Sequence, residues 1–429
     1  MAVVPEINQP APPSHTYKTT TKRTLSKRAV LWLGQTCNLR CYFCYFLNRI
    51  DDHSHPEHPF MTLEKAKEIF DTLRYTYGDT AIDIQGGEPT IHPDILEMIS
   101  YCNEIGLYPT LITNGLVLAK KDKLKTFQDA GIRDFLVSLH GIGDIHDEVV
   151  CRKGAYIKII GAIENMVELG VPFRFNCTMS KPVIPLLPTI AQKAIDYGAN
   201  AVNFLAFNPF EDQETGIRTH ENVAKYSDIM PDLTTAMDML EEAGIECNVR
   251  YIPLCMAEER HKKNLYNFQQ LSYDHHEWDY SSWNWTGLQP QRMKGEDLVP
   301  AFLIGPFSRM IQHRYVGVTR RFYAYPLLGK LGLFTQRTMA KVAQTFQIKK
   351  LYQYEGATRA SHDAGYIHTD QCQKCHMQQI CDGLHCDYLD LFGEDEAKAI
   401  TDAPRTSDPT YYINDQVKIV EPEDETWAL

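Results

Sequence analysis

No run of apolar residues approaches the roughly 18 to 20 needed to cross a bilayer. The opening segment, MAVVPEINQPAPPSHTYKTTTKR, lacks the apolar core of a secretory leader. Both absences point to a cytoplasmic protein. Basic residues are in the minority, 43 Lys and Arg against 55 Asp and Glu for a net charge of −12. That balance argues against a nucleic-acid binder that relies on phosphate neutralisation. Acid is itself missing from one long stretch. Between Asp297 and Glu355 there is none, while Arg309, Arg314, Arg320, Arg321, Lys330, Arg337, Lys341, Lys349 and Lys350 add nine positive charges. The opposite imbalance closes the chain, with ten acidic and three basic residues from Gly393 to Leu429. The remainder is ordinary: 429 residues, 44% hydrophobic and 23% charged, suit one large globular domain with an appendage.

Cysteine, by contrast, is plentiful. Twelve cysteines in a chain without an export signal are better read as metal ligands than as disulfides, because the cytoplasm keeps thiols reduced. Cys37, Cys41 and Cys44 crowd one short loop, and Cys372, Cys375, Cys381 and Cys386 crowd another. Cys102, Cys151 and Cys177 are scattered singly and are assigned to packing.

Up to Arg28 the chain is rich in Pro, Thr and Lys and reads as a mobile arm, residues 1–28. A rhythm then begins. Short apolar strands are predicted at Ala29–Leu33, Ala81–Gln85, Tyr108–Thr113, Phe135–Leu139, Phe173–Met179 and Ala201–Phe207. They alternate with amphipathic helices at Leu63–Tyr77, Ile95–Ile105, Ile157–Leu169 and Ile184–Tyr197. Gly106, Gly131, Gly170 and Gly198 stand where the helical patterns stop. The alternation predicts an α/β fold with a parallel sheet and helical crossovers. A doubly wound sheet and a barrel share this local signature, and both put active loops at the carboxyl ends of strands. The first cysteine loop, Gly86-Gly87-Glu88-Pro89, Asn114-Gly115 and His140-Gly141 follow four consecutive predicted strands. After a helical stretch from Glu221 to Ala243 and a seventh strand at Glu246–Tyr251, the rhythm is lost. The predicted domains are therefore a core at 29–245, a second domain at 246–392 with a basic, aromatic insertion at 256–371, and an acidic tail at 393–429.

Three thiolates in Cys37-Asn-Leu-Arg-Cys41-Tyr-Phe-Cys44 are one fewer than a structural zinc or an ordinary iron–sulfur cube takes from protein. The loop would leave one iron of a [4Fe–4S] cube open. Zinc with a distant fourth ligand from His53, His55 or His58 is the competing reading.

CxxxCxxC after the first strand, GGEP after the second and TNG after the third resemble the radical S-adenosylmethionine (radical SAM) superfamily, over roughly Ala29 to Asn208. The resemblance implies an open, TIM-like partial (β/α)6 barrel. Its open iron is chelated by the amine and carboxylate of S-adenosylmethionine. An electron from the cluster breaks a carbon–sulfur bond to give methionine and a 5′-deoxyadenosyl radical. On this sequence it makes Cys37, Cys41 and Cys44 the catalytic cluster ligands and puts Phe43 against the adenine. Gly86 and Gly87 let the backbone approach the ligand, and Glu88 accepts from the methionine ammonium. Pro89 fixes the turn, and Asn114 and Ser138 complete the cofactor pocket. His140 stands where many relatives carry an acid, and no role passes to it.

The second crowd, Cys372-x2-Cys375-x5-Cys381-x4-Cys386, is open to three readings: a zinc knuckle helped by His376 and His385, a haem site through Cys372-x2-Cys375-His376, or an iron–sulfur cluster. It resembles the SPASM or twitch extensions of radical SAM enzymes. By that resemblance one auxiliary [4Fe–4S] cluster is held by Cys255, Cys372, Cys375 and Cys381, with Cys386 in reserve as fourth ligand. The expected function is reductive cleavage of S-adenosylmethionine and hydrogen abstraction from a small metabolite, a phosphate- or lipid-linked compound, or a peptide. The expected partners are that substrate and a low-potential donor such as flavodoxin or ferredoxin, with no specific nucleic acid. Residues 309–350 are a candidate for peripheral contact with an anionic membrane, against the plainer reading of a solvated basic face. A non-catalytic electron-relay or maturation protein is the alternative.

Overall fold

The structure is a computed structural model that describes residues 22–25, 28–34, 36–44, 50, 53, 58–77, 79–207, 218–267, 278–279, 365–408, 411–414 and 416–420, with 327, 331, 334 and 338 as single positions. Two strands stand outside the main sheet at the chain ends, β1 (Lys22–Leu25) and β13 (Val417–Val420), paired in parallel with each other. The main sheet has nine strands. Eight follow one another: β2 (Arg28–Trp32), β3 (Ala81–Gln85), β4 (Tyr108–Thr113), β5 (Asp134–Ser138), β6 (Phe173–Met179), β7 (Ala201–Ala206), β8 (Glu246–Arg250) and β9 (Leu265–Tyr266). A short β10 (Trp278–Asp279) lies beside β2 at the other edge. Every neighbour is parallel.

Strand order answers the question the sequence left open. From β2 to β9 each strand lies next to its successor, so no switch point exists of the kind a doubly wound sheet needs. This is the sequential order of a barrel, left open between β9 and β10. The crossovers are helical: α1 (Leu63–Asp71, extended by a π-helical turn at Thr72–Tyr77), α2 (Ile95–Glu104), α3 (Lys121–Asp129), α4 (Asp144–Val149), α5 (Ala155–Leu169), α6 (Leu187–Tyr197) and α7 (Tyr226–Ala243). Of these, α3 and α4 were not predicted. In α3 only Leu124 and Phe127 are buried, too sparse a stripe to read, and α4 has six residues.

The sheet's two faces differ chemically. Along β6, Phe173, Phe175, Cys177 and Met179 are buried and join the apolar core with Ile159 and Ile163 of α5 and Ile190 and Ala194 of α6. The alternate residues Arg174, Asn176 and Thr178 face the other way. Arg174 Nε donates to Asp134 Oδ2 on β5 at 2.6 Å, and its other nitrogen lies 3.7 Å from Asp83 Oδ1 on β3. One side chain can reach over two intervening strands only on the concave face. The inside of the partial barrel is therefore polar at its base.

Three expected boundaries change. Residues 246–250, where the second domain is expected to start, form a strand that pairs with β7 along its length. Residues 22–25 pair with 417–420, so the arm and the tail meet in a two-stranded ladder. The acidic segment after Phe392 is no free tail either. His376 N donates to Ile400 O at 2.8 Å, Thr406 N to His376 O at 3.2 Å, and Ser227 N to Glu396 Oε1 at 3.2 Å. Acidic composition concealed a segment held by its backbone. The second cysteine region consists of β11 (Tyr366–Ile367) antiparallel to β12 (Leu384–His385), α8 (Asp370–Lys374) and α9 (Cys386–Phe392). Most of the 256–371 insertion, and residues 309–350 apart from four single positions, lie outside the described residues. Among the described residues no helix is long and apolar enough to cross a membrane.

Arg174→Met should lower the free energy of unfolding by about 3–5 kcal/mol, because Asp83 and Asp134 would be left buried without their cation. Urea denaturation of the metal-free protein measures it. A loss under about 1 kcal/mol would mean that water already solvates both carboxylates.

Candidate functional site

The first cysteine loop leaves the carboxyl end of β2 and is held from below by the turn after β3. Gly87 N donates to Gly34 O and Glu88 N to Thr36 O, both at 2.9 Å. A Cβ on Gly87 would stand 2.0 Å from the Thr36 carbonyl oxygen and 2.9 Å from Cys37 N. Gly86 has φ +148° and a Cβ there would meet the backbone of Leu33 and Gly34 at 3.0–3.2 Å. The glycines thus admit the backbone of the cysteine loop itself, where the sequence suggested approach to a ligand.

Glu88 is fully buried at the N-terminal end of a 3-10 turn, Pro89–Ile91, with Pro89 at the position where its missing N–H costs nothing. Its Oε1 accepts from Thr90 N at 3.1 Å, from Thr90 Oγ1, and from Thr113 Oγ1 at 2.6 Å; Oε2 accepts from Asn114 N at 2.8 Å. Burial raises its pKa against those four bonds. The carboxylate is framework first, with lone-pair capacity left on Oε2 alone. Asn114 passes the tie onward, Nδ2 donating to Asn38 Oδ1 at 2.6 Å inside the cysteine loop. Arg152 NH1 donates to Asn38 O at 2.7 Å from the opposite side.

Cys37, Cys41 and Cys44 are half-buried on this clamped loop. Burial, and then the Glu88 charge, push the Cys37 thiol up to about 12. Burial pushes Cys41 well above its usual range, with Cys44, Cys37 and Cys151 adding to it. Such thiols ionise only with a cation among them, so the donor set fits a soft metal centre. Phe43 packs edge-on to His140, 4.6 Å between ring centres and 65° between planes, with Tyr42 and Phe207 at its other edges. His140, which carried no expected role, is a wall of this pocket. Thr178 N donates to its Nδ1 at 3.0 Å, which puts the ring proton on Nε2, and burial with His146 alongside holds its pKa down at about 3. A histidine at a strand end gives no sequence signal of that kind. Ser138 closes β5 in register with Asn176.

The second site is a cavity lined by Cys255, Cys372, Cys375 and Cys381, with His368, Lys398 and Ile400 around them. Cys375 Sγ accepts backbone N–H bonds from Met377 and Ile400, each at 3.4 Å. The histidines that would have favoured zinc or haem are used elsewhere. His376 Nδ1 is bonded to Ala403 O at 2.6 Å, and His385 Nδ1 accepts from Asp387 N at 3.1 Å as the cap of α9. Cys386 does not line the cavity. It lies beside His385 and Asp387, and Asp387 is held by Arg218 at 2.7 Å. Among the described residues, His385, Cys386 and Asp387 are the one set of three such donors whose ligand atoms all lie within 4.8 Å of one another. A single tetrahedral zinc with bonds of about 2.3 Å draws its sulfurs to about 3.8 Å apart. Neither cysteine set is gathered that tightly. His53 is exposed, its ring tilted at 59° and 4.2 Å from that of His58, and His55 lies outside the described residues.

A family model described as the radical SAM superfamily matches residues 33–202. This segment is a radical SAM domain. Among curated relatives, the AdoMet-dependent heme synthase of Oleidesulfovibrio alaskensis is 27% identical over 42% of this chain and 46% of its own. The PqqA peptide cyclase of Bradyrhizobium diazoefficiens is 28% identical over 40% of this chain and 44% of its own. The chain thus spans less than half the length of either relative. The crystal structure of Streptococcus suis SuiB is 18% identical, covering 52% of this chain and 49% of that one, with a TM-score of 0.43. The matched radical SAM segment begins at Leu33, before the cysteine loop, and ends on β7.

The clamp makes two substitutions informative. Gly87→Ala must push Thr36 and Cys37 away and should cost about 1–3 kcal/mol as overpacking. Glu88→Gln, which sets an N–H against one of four donors, should cost about 1–3 kcal/mol for the bond it leaves unmade. Denaturation of the metal-free protein reads both without any cofactor. A Gly87→Ala variant as stable as the parent would show that the loop is not clamped as described.

Proposed function

We propose that the chain is a radical SAM enzyme that reductively cleaves S-adenosylmethionine and abstracts hydrogen from a substrate, and that a second cluster supports this chemistry. The observation that carries the reading is the three-thiol loop clamped at the carboxyl mouth of the sheet, against the Gly86–Gly87 turn, with its Phe43 packed on His140. Cys37, Cys41 and Cys44 are the residues that would hold a [4Fe–4S] cluster there, and with S-adenosylmethionine it would supply the one-electron chemistry that breaks a carbon–sulfur bond.

The chain's own residues bind and orient. Cys37, Cys41 and Cys44 hold three irons as thiolates. Phe43, braced by His140, offers an apolar edge to the adenine. Ser138 Oγ donates or accepts toward the ribose or the carboxylate, and the remaining capacity of Glu88 Oε2 serves the ammonium. Cys255, Cys372, Cys375 and Cys381 would hold one auxiliary [4Fe–4S] cluster, which would supply an electron path or a binding point for substrate. A low-potential donor such as flavodoxin or ferredoxin supplies the first electron. The activities of the two relatives, heme synthesis and peptide cyclisation, leave a tetrapyrrole and a peptide both eligible as substrate.

Anaerobic reconstitution should give about eight irons per chain. Changing Cys37, Cys41 and Cys44 together to Ala should leave about four and abolish 5′-deoxyadenosine formation with dithionite. Cys255→Ser should also leave about four, and Cys386→Ser should leave all eight. About four irons with one zinc in the parent would refute the auxiliary cluster, and 5′-deoxyadenosine from the triple variant would refute the catalytic one.

A further inference from the structure

The concave face carries a polar row that the radical SAM reading does not account for. Asn176 on β6 pairs in register with Asn203 on β7, and Asn203 with Asn248 on β8. Asn176 is two residues beyond Arg174 on the same strand, so it shares the face on which Arg174 reaches Asp134 and Asp83, about 7 Å further toward the mouth. Ser138 stands next to Asn176 in the same row. The row thus starts at the expected cofactor pocket and runs away from the cysteine loop.

Its hydrogen bonds are incomplete. Asn248 Nδ2 donates to Asn203 Oδ1 at 3.0 Å, which fixes the Asn203 carboxamide and spends its oxygen. Asn203 is only 6% exposed, yet among the described residues its Nδ2 has no acceptor. The Asn176 carboxamide has no side-chain partner either, although it is half-buried. Neither carboxamide nitrogen is sealed from solvent, so each opens onto the space inside the sheet, where an acceptor can reach it. An apolar residue would serve to pack the inside of a barrel strand, so these side chains read as groups that meet a partner in that space.

The charge around the row says which partner. The layer below it holds two carboxylates, Asp83 and Asp134, against one guanidinium, Arg174, which is committed to them. Arg250, one step further along β8 on this face, is also engaged within the chain. Among the described residues, a carboxylate or phosphate seated on the row would find neutral donors over a net negative layer, with Arg174 and Arg250 already engaged. An uncharged amide suits it, because a carboxamide both donates and accepts.

We propose that Asn176 and Asn203, with Asn248 as brace, form the substrate-recognition surface and bind an uncharged amide through its carbonyl oxygen. This rests on the radical SAM reading for calling the ligand a substrate. The amide comes from a peptide backbone or from a small-molecule carboxamide.

The test uses the anaerobically reconstituted protein with S-adenosylmethionine and ligand-observed saturation-transfer NMR. The probes are N-acetylglycine N-methylamide, propionamide, acetate and inorganic phosphate. The two amides should bind, and acetate and phosphate should bind at least tenfold more weakly. A stronger signal from the blocked peptide unit assigns the amide to a backbone, and a stronger one from propionamide to a small molecule; either supports the surface. Asn203→Asp keeps the oxygen that Asn248 uses and removes the free donor, so it should lose amide binding at least tenfold, with a lowered thermal midpoint because the new carboxylate sits over the same net negative layer. Asn176→Ala, at a position with no bond to lose, should weaken it several-fold and covers the case in which Asn203→Asp does not fold. Equal binding of phosphate, or parental amide binding by both variants, would overturn the proposal. Amide binding by a protein that makes no 5′-deoxyadenosine would keep the surface and refute the enzymatic reading, so the two failures are distinguishable.

Discussion

The closest constraint in the molecule is backbone against backbone, where Gly87 meets Thr36 with no room for a methyl group. The cysteine loop does not shape itself; it rests on the turn after the neighbouring strand. That turn is fixed in turn by Glu88, whose carboxylate draws together its own 3-10 turn, the end of β4 through Thr113, and Asn114. Asn114 then returns to Asn38 between the first two cysteines. Three strand ends therefore share one set of bonds. Sequential strand order is what makes them neighbours, so the metal-site geometry depends on the topology of the sheet more than on the loop sequence.

The same sheet separates two solvents. Outward residues such as Phe175 and Cys177 join the apolar core under the helices. Inward residues are charged at the base and carboxamide-bearing above it. A small closed barrel fills its interior with branched apolar side chains. An open one exposes that space, and polar groups kept there are orienting groups at low dielectric, where a hydrogen bond to a ligand is worth more than in water. The open edges between β9 and β10 and the polar interior are thus two sides of one design for binding something larger than a side chain.

Much of this was legible because strand ends carry their chemistry in short, ordered motifs. The strand at Ala81–Gln85 and the strands at Tyr108–Thr113 and Phe173–Met179 have the predicted limits, since apolar alternation and flanking glycines agree there. Composition misled where backbone bonding decides. The acidic segment after Phe392 supplies Ile400 and Lys398 to the wall of the cysteine cavity, which charge counting cannot reveal. Residues 22–25 looked unstructured because their partner is nearly four hundred residues away at 417–420. Asn176, Asn203 and Asn248 escaped notice for a related reason. They lie on three separate strands more than twenty residues apart in sequence, and only the register shows that they stand side by side.

Glu88 changes the balance between the two functional classes. As the expected acceptor of a methionine ammonium, its carboxylate would favour turnover, because an electron relay needs no such group. Four hydrogen bonds from Thr90, Thr113 and Asn114 now explain its presence without any ligand. The weight moves to the inner face. An electron relay asks only that its clusters be near a partner and shielded from water; it has no use for carboxamide donors kept without acceptors in a barrel mouth. Those donors begin at Ser138, next to the pocket wall formed by Phe43 and His140, and lead away from the cysteines. That placement is what hydrogen abstraction requires, a substrate held beside the cofactor, and it supports catalysis on grounds independent of the glutamate.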